Sequence, residues 1–195
     1  HNKVVLITGS GQGLGKGIAE GFLYEGAKVI ITDLKEDRLE ETKKKFSTKY
    51  SKSEILTYTG DLTNLQSIID CVDNSIAYFG KIDILVANLG SGRSVSEWNT
   101  SEEEWSRMVD LNFDGARKVT NVVVPHMIKQ GSGNVIYISS IAGREVIGAP
   151  VSYSVAKAAI IAYSKNISVK LASSGIRVNT ICPGNIYFEG GDWDS

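Results

Sequence analysis

Six short runs rich in Val and Ile recur along this chain, each linked to the next through a stretch of helical pattern. That alternation narrows the folds open to it. The runs are Val4–Thr8, Val29–Thr32, Ile55–Thr59, Ile82–Ala87, Asn134–Ser139 and Arg177–Ile181. They read as largely continuous apolar segments, as expected for parallel strands covered on both faces. Between them, Leu14, Ile18 and Phe22 repeat at i+4, and Leu65, Ile68, Ile69, Val72 and Ile76 make a second helical stripe. The heavily charged segment Lys35–Tyr50 reads as a solvated helix, not as a binding patch. Parallel strands joined by helices need right-handed crossovers. The expected architecture is therefore α/β: a doubly wound, Rossmann-like parallel sheet in three layers, αβα. No repeat or low-complexity linker interrupts the pattern, and 195 residues at 42% apolar content suit one domain over 1–195.

The first strand runs directly into Thr8-Gly9-Ser10-Gly11-Gln12-Gly13-Leu14-Gly15, and the first helix follows. The run fits no register of G-x-G-x-x-G; it fits the longer Thr-Gly-x-x-x-Gly-x-Gly turn. Glycines there allow positive φ and close backbone approach, while the helix N-terminus offers unpaired N–H groups to a pyrophosphate. Gly9, Ser10, Gln12, Gly13, Leu14 and Gly15 are thus candidate contacts of a dinucleotide. Asp33 ends the second strand, followed by Leu34. A carboxylate at that position accepts hydrogen bonds from both adenosine ribose hydroxyls and repels a 2′-phosphate. Neither Ser10 nor Gln12 is a cation that would offset the repulsion, so NAD(H) is expected in preference to NADP(H).

Tyr153 and Lys157 stand four apart at the start of the helical run Tyr153–Ser174, thirteen residues and more after Ser140 at the end of the fifth strand. Residues at i and i+4 share a helix face. Tyr24 and Lys28 have the same spacing, but Gly26 lies between them, so that pair is expected to straddle a helix end and the next strand. A phenol titrates near 10, and lowering it by about 2–3 units takes roughly 3–4 kcal/mol of preferential stabilisation of the phenolate. An ammonium one turn away and an oxidised nicotinamide ring supply positive charge for this. Tyr153 is the candidate acid/base, Lys157 its cation, and Ser140 the hydroxyl that orients a substrate oxygen.

Together these segments resemble the short-chain dehydrogenase/reductase family in its main single-domain type, from the first strand to the last residue. By that resemblance Asp61, with Leu62 beside it, is an adenine contact after the third strand. Ala87-Asn88-Leu89-Gly90 resembles the family's Asn-Asn-Ala-Gly segment, departing at Ala87 and Leu89; Asn88, Leu89 and Gly90 are cofactor contacts. Asn112 falls where the family carries a helix-borne catalytic Asn, completing a tetrad with Ser140, Tyr153 and Lys157. Tyr153 and Lys157 also contact the cofactor, Lys157 through the nicotinamide ribose, and Pro183, Gly184 and Ile186 form the nicotinamide-side turn. Phe188 stands where the family often has Thr. The family continues with a helical substrate lid and a seventh strand, which this chain is expected to lack. The resemblance leaves the substrate open between a 3-oxoacyl compound and a sugar or cyclic alcohol. Glu189, Asp192 and Asp194 disfavour an acidic carrier-protein partner at that edge. A non-catalytic dinucleotide sensor is the alternative reading.

Helix Tyr153–Ser174 carries Ala156, Ala158, Ala159, Ile160, Ile161, Ala162 and Tyr163 and shows little polar face. It is expected to be buried on both sides, against the sheet and against a second subunit in a homo-dimer or homo-tetramer. Net charge of −1 leaves no basic footprint for nucleic acid or anionic membrane, and Trp98, Trp105 and Trp193 are too scattered to stack bases. No apolar stretch has membrane-spanning length, and no leader is expected ahead of the first strand. Cys71 and Cys182 are far apart and the histidines are two, of which His126 lies in an apolar helix after Pro125. Neither a disulfide nor a metal site is expected, and free thiols point to a reducing, cytoplasmic setting.

Overall fold

A computed structural model describes residues 2–188. Strands β1 (Val4–Ile7), β2 (Lys28–Asp33), β3 (Ile55–Thr59), β4 (Ile84–Ala87), β5 (Gly133–Ile138) and β6 (Ile176–Ile181) form one sheet. Their order is β3-β2-β1-β4-β5-β6, and every pairing is parallel. The helices are α1 (Gly13–Tyr24), α2 (Glu36–Phe46), α3 (Leu65–Phe79), α4 (Glu102–Val109), α5 (Gly115–Gln130) and α6 (Val151–Leu171). The chain winds outward from β1 to β3, then returns to place β4 on the other side of β1. Loops leaving β1 and β4 diverge there, and a crevice opens at the carboxyl ends of the strands.

The sheet has two apolar faces because alternate residues point opposite ways. Val5, Ile7, Val29 and Ile31 meet Ala19 and Leu23 of α1 and Leu39 and Phe46 of α2. Val4, Leu6 and Ile30 face the other core, with Ile68 and Val72 of α3, Val119 and Val123 of α5 and Ile160 of α6. Each such side chain contributes about 1.5–3 kcal/mol when buried, so a polar residue in β1 would be costly on either face. β6 is an edge strand and departs from the pattern: Ile176 and Val178 are buried while Arg177 and Asn179 are exposed. At the base of the sheet, buried Asp83 accepts the Val4 backbone N–H at 2.9 Å and pairs with Lys3 and Lys81.

Two helices differ in detail from expectation. α2 is not wholly solvated: Leu39, Thr42 and Phe46 form a buried stripe beneath its charged outer face. α6 begins at Val151, two residues before Tyr153, because Pro150 supplies a fixed φ ahead of the first turn. Residues Ala172–Ser174 tighten into a 3-10 turn that ends at Gly175, where φ is +73°. Within the single chain, α6 is covered on the side that meets the sheet. Ala156, Lys157, Ile160 and Ser164 are buried, whereas Val151, Val155 and Ala158 are exposed and Lys165, Asn166 and Lys170 face solvent further along. Among the described residues no helix is long and apolar enough to cross a membrane, and no cluster of His, Cys, Asp and Glu is arranged for a metal ion. Cys71 is buried and Cys182 partly so, both as free thiols, and burial pushes the Cys71 thiol up to about 12. Glu189, Asp192, Trp193 and Asp194 lie outside the described residues.

Candidate active site

The glycine turn is held by side chains from four directions. Thr8 Oγ1 accepts the N–H groups of Asn88 and Leu89 at 3.0 and 2.9 Å, and Asn88 Nδ2 donates to the Thr8 and Gly9 carbonyls at 3.0 Å. Thr42 Oγ1 of α2 donates to the Gly11 carbonyl at 2.8 Å. Ser10 Oγ donates to Ile7 O at 2.8 Å and accepts from Thr32 N at 2.9 Å. Ser10, expected as a cofactor contact, is fully buried by these bonds and is not among the residues of the cleft wall. The glycines answer to space as much as to φ. Gly9 and Gly13 have φ of +62° and +55°. A Cβ on Gly11 would lie 2.6 Å from Asp33 Oδ2, and one on Gly15 would strike the Gly9 carbonyl and Asn88 Nδ2.

Above this turn runs a cleft of about 500 Å³, within the range of small-molecule sites. At one end lie Asp33, Leu34, Asp61 and Leu62; in the middle are Gly9, Gln12, Gly13, Leu14, Gly15, Asn88, Leu89 and Gly90. At the other end are Ser140, Tyr153, Lys157, Pro183, Gly184 and Ile186. Every residue expected at the site is on this wall except Ser10 and Asn112. Asp61 Oδ1 accepts from Thr63 N and Oγ1 at 2.8 and 2.7 Å, fixing the turn after β3. Arg38 also lines the cleft, with Nη1 3.7 Å from Asp33 Oδ1. It was hidden in the charged run of α2; its spacing of five from Asp33, on the first turn of a helix, is the signal that would have found it.

Lys157 is 4% exposed and its Nζ donates to the Ile138 carbonyl at 3.1 Å. Burial drives its pKa down to about 8, because the charged form loses solvation. Its Nζ sits 5.6 Å from the centre of the Tyr153 ring. Two contacts seat α6 against the end of β5. Ser139 Oγ donates to the Lys157 carbonyl at 2.7 Å, and a Cβ on Gly143 would lie 2.7 Å from the same carbonyl carbon. Ser140 Oγ accepts from Ala142 N at 3.1 Å, which caps the turn Ile141–Gly143 and leaves its O–H as a donor at the cleft wall. Capping and site geometry coincide in this residue.

Asn112 sits in a π turn, Asp110–Asp114, between α4 and α5. Such single wide turns recur at functional sites. Its Nδ2 donates to Met108 O and Ser91 O at 3.1 Å, and its Oδ1 accepts from Ser91 N at 3.0 Å. It is buried behind Gly90, where a Cβ would lie 2.6 Å from Asn112 Oδ1 and 3.0 Å from Lys157 Nζ. Phe188 packs on the start of α1; a Cβ on Gly13 would lie 2.7 Å from its ring. Tyr24 and Lys28 separate as expected, the first ending α1 with 79% exposure and the second opening β2.

A parallel sheet with a glycine cradle at its switch point and a phenol, an ammonium and a hydroxyl at one end of the cleft defines a nucleotide-binding oxidoreductase. The family profile described as short chain dehydrogenase matches residues 3–189. The chain belongs to the short-chain dehydrogenase family. It is 35% identical over 188 residues to a 3-oxoacyl-[acyl-carrier-protein] reductase of Thermotoga maritima, covering 95% of this chain and 75% of that protein. A cofactor-containing short-chain dehydrogenase/reductase of Caenorhabditis elegans superposes with a TM-score of 0.89 at 31% identity, over 94% of this chain and 69% of the other. An NAD+-bound xylitol dehydrogenase gives 0.88 at 31% identity, over 93% and 70%.

Proposed function

We propose that this protein interconverts a secondary alcohol and a carbonyl compound with NAD(H), with Tyr153 as acid/base. The observation that carries the reading is Lys157, a lysine desolvated beside a phenol on the wall of the cleft that also holds the glycine turn. A sensor on the same fold would have no use for that costly arrangement. Gly9, Gly13 and Gly15 form a cradle without side chains at the start of α1, on the wall of a cleft that Asp33 and Tyr153 also line. Bound NAD+ supplies a hydride acceptor and a positive ring. Ser140 Oγ–H donates to the substrate oxygen and orients it. Tyr153 Oη takes the hydroxyl proton as the adjacent C–H bond releases its hydride; in reduction it returns that proton. Lys157 stabilises the phenolate and holds the nicotinamide ribose, and Asn112, locked behind Gly90, orders the path by which a proton reaches Lys157. Asp33 accepts from the adenosine ribose hydroxyls, and its pairing with Arg38 keeps that cation from serving a 2′-phosphate. The exposed Val151, Val155 and Ala158 of α6 are the basis for pairing with a second copy.

The test is a panel of carbonyl substrates followed by NADH absorbance. Tyr153→Phe lowers kcat by about 10²–10⁴-fold, the usual worth of general acid–base catalysis, with NADH affinity retained. Tyr24→Phe, which removes a hydroxyl of the same spacing, leaves kcat unchanged. Equal losses at the two tyrosines would refute the placement.

A further inference from the structure

α2 sends one buried hydroxyl to the glycine turn. Its inner stripe is Leu39, Thr42 and Phe46. Leu39 and Phe46 join the apolar core against β1 and β2, whereas Thr42 stands between them with a polar group, fully buried. Valine has the same branched shape and no polar atom to desolvate, so the fold alone would favour it here. The Thr42 hydroxyl has a specific partner: Oγ1 donates at 2.8 Å to the carbonyl of Gly11, thirty-one residues back.

Gly11 in turn lies against Asp33. A Cβ added to it would come within 2.6 Å of Asp33 Oδ2 and 2.9 Å of the Asp33 Cβ and Cγ, so the bare backbone of the turn bears directly on the carboxylate. The other oxygen, Oδ1, accepts from Lys35 N at 3.0 Å and lies 3.7 Å from Arg38 Nη1. Arg38 and Thr42 are four residues apart, hence neighbours on one face of α2. That face grips both partners of the Gly11–Asp33 contact: the cation holds the carboxylate and the hydroxyl holds the turn. Asp33 and Arg38 both reach the cleft wall, with 9% and 36% of their side chains exposed. Thr42 is not among the residues of that wall. A shift of the turn therefore changes which group, carboxylate or guanidinium, is presented to a ligand.

We propose that Thr42 is a positioning residue for cofactor selection: its hydroxyl holds Gly11 against Asp33, which keeps the carboxylate, and not Arg38, facing the adenosine ribose. This rests on the NAD(H) reading of the same cleft and adds to it a residue behind the wall. Without the hydroxyl the buried Gly11 carbonyl loses its donor, and an unpaired buried acceptor is costly enough for the turn to shift in search of another. The packing that fixes Asp33 Oδ2 loosens with it. NADH, which needs the carboxylate at its ribose hydroxyls, then binds less well; NADPH, whose 2′-phosphate is favoured by Arg38 and repelled by Asp33, does not.

The experiment measures NADH and NADPH affinities by calorimetry on the full chain, with urea melts alongside, for the parent, Thr42→Val and Thr42→Ser. The parent prefers NADH. Thr42→Val keeps the branched shape, loses the hydroxyl and cuts that preference by about 3–10-fold, the usual worth of one hydrogen bond, chiefly through NADH. Thr42→Ser, which retains a hydroxyl, holds the preference near the parent value. Thr120→Val is the control. Thr120 is also buried and also donates at 2.8 Å to a carbonyl, that of Ala116 within α5, so its loss lowers stability and leaves the preference unchanged. If Thr42→Val does not fold, Thr42→Ala is compared with Thr42→Ser in its place, and the same fall in preference is expected. An unchanged preference in the variant without the hydroxyl, or NADH and NADPH affinities that fall together, overturns the inference: the hydroxyl then only stabilises the turn. Equal affinities for the two cofactors in the parent overturn the NAD(H) reading, and this inference with it.

Discussion

The two halves of the cleft are built on different principles. The adenosine half is local: the turn 8–15, the ends of β1 and β2 and the first turns of α1 and α2 lie within about forty residues and are tied by short hydrogen bonds. Most of its polar groups satisfy one another, although its glycines are also crowded by distant residues: Asp33 at Gly11, Asn88 at Gly9 and Gly15, and Phe188 at Gly13. The catalytic half is assembled from Gly90, Asn112, Ser140 and the Tyr153–Lys157 pair, which meet only when β4, β5 and α6 are in place. It also holds a group the fold would be more stable without. Lys157 is buried with a carbonyl for company, and a pKa near 8 in place of 10.5 means roughly 3 kcal/mol of unfavourable desolvation while the lysine is charged. One half is shaped for stability and the other is held at a cost to it, the pattern expected where function and folding compete.

Lys157→Met breaks the comparison most strongly. It removes the cation and lowers kcat/KM by at least about 10²-fold, yet it makes the protein more stable at pH 7 by about 1–3 kcal/mol, since a charge no longer has to be buried. The pH dependence has a definite sign. Between pH about 8 and 10.5 the unfolded lysine keeps its proton and the folded one does not, so the parent protein gains stability as pH rises through that window. The Met variant shows no such gain from this position. Urea melts at pH 7 and pH 9.5 measure both effects.

Asp33→Ala tests the local half. NADH affinity falls by on the order of 10-fold with the lost charge-assisted hydrogen bonds, and NADPH affinity rises as Arg38, now 3.7 Å from nothing acidic, meets the 2′-phosphate. Isothermal titration with the two cofactors shows the gap narrowing; an unchanged ratio would remove Asp33 from the selection.

Glycine replacements sharpen the division further. Gly15→Ala collides with backbone and Asn88, and weakens NADH binding. Gly143→Ala collides with the Lys157 and Ala158 backbone, and lowers kcat with NADH affinity kept. Gly17 has open space around it in α1, so Gly17→Ala stabilises by about 0.5–1 kcal/mol and changes neither constant.

The same division governs what could be read from the chain. The turn, Asp33 and the strand-by-strand sheet were legible because each depends on neighbours in sequence. The burial of Ser10 was not legible for a local reason too fine for pattern: a serine after a glycine in such a turn can face the cleft or the strand beneath, and here Thr32 and Ile7 claim its hydroxyl. Thr42 and Arg38 were lost inside a charged run whose mean polarity concealed one buried stripe and one residue at the cleft. Ser140, Tyr153 and Lys157 were legible as a pattern, but the burial of Lys157, the π turn under Asn112 and the close approach at Gly90 are tertiary facts with no spacing to announce them.

The account turns on Lys157 being desolvated before any ligand arrives, and its titration tests that directly. With lysine side chains isotopically labelled and the Lys157 resonance assigned by comparison with Lys157→Met, the protein alone is titrated from pH 6 to 11 by NMR. A midpoint near 8 is the predicted result. A midpoint at the ordinary lysine value near 10.5 would mean the catalytic half carries no buried charge to spend on Tyr153, and would contradict the account.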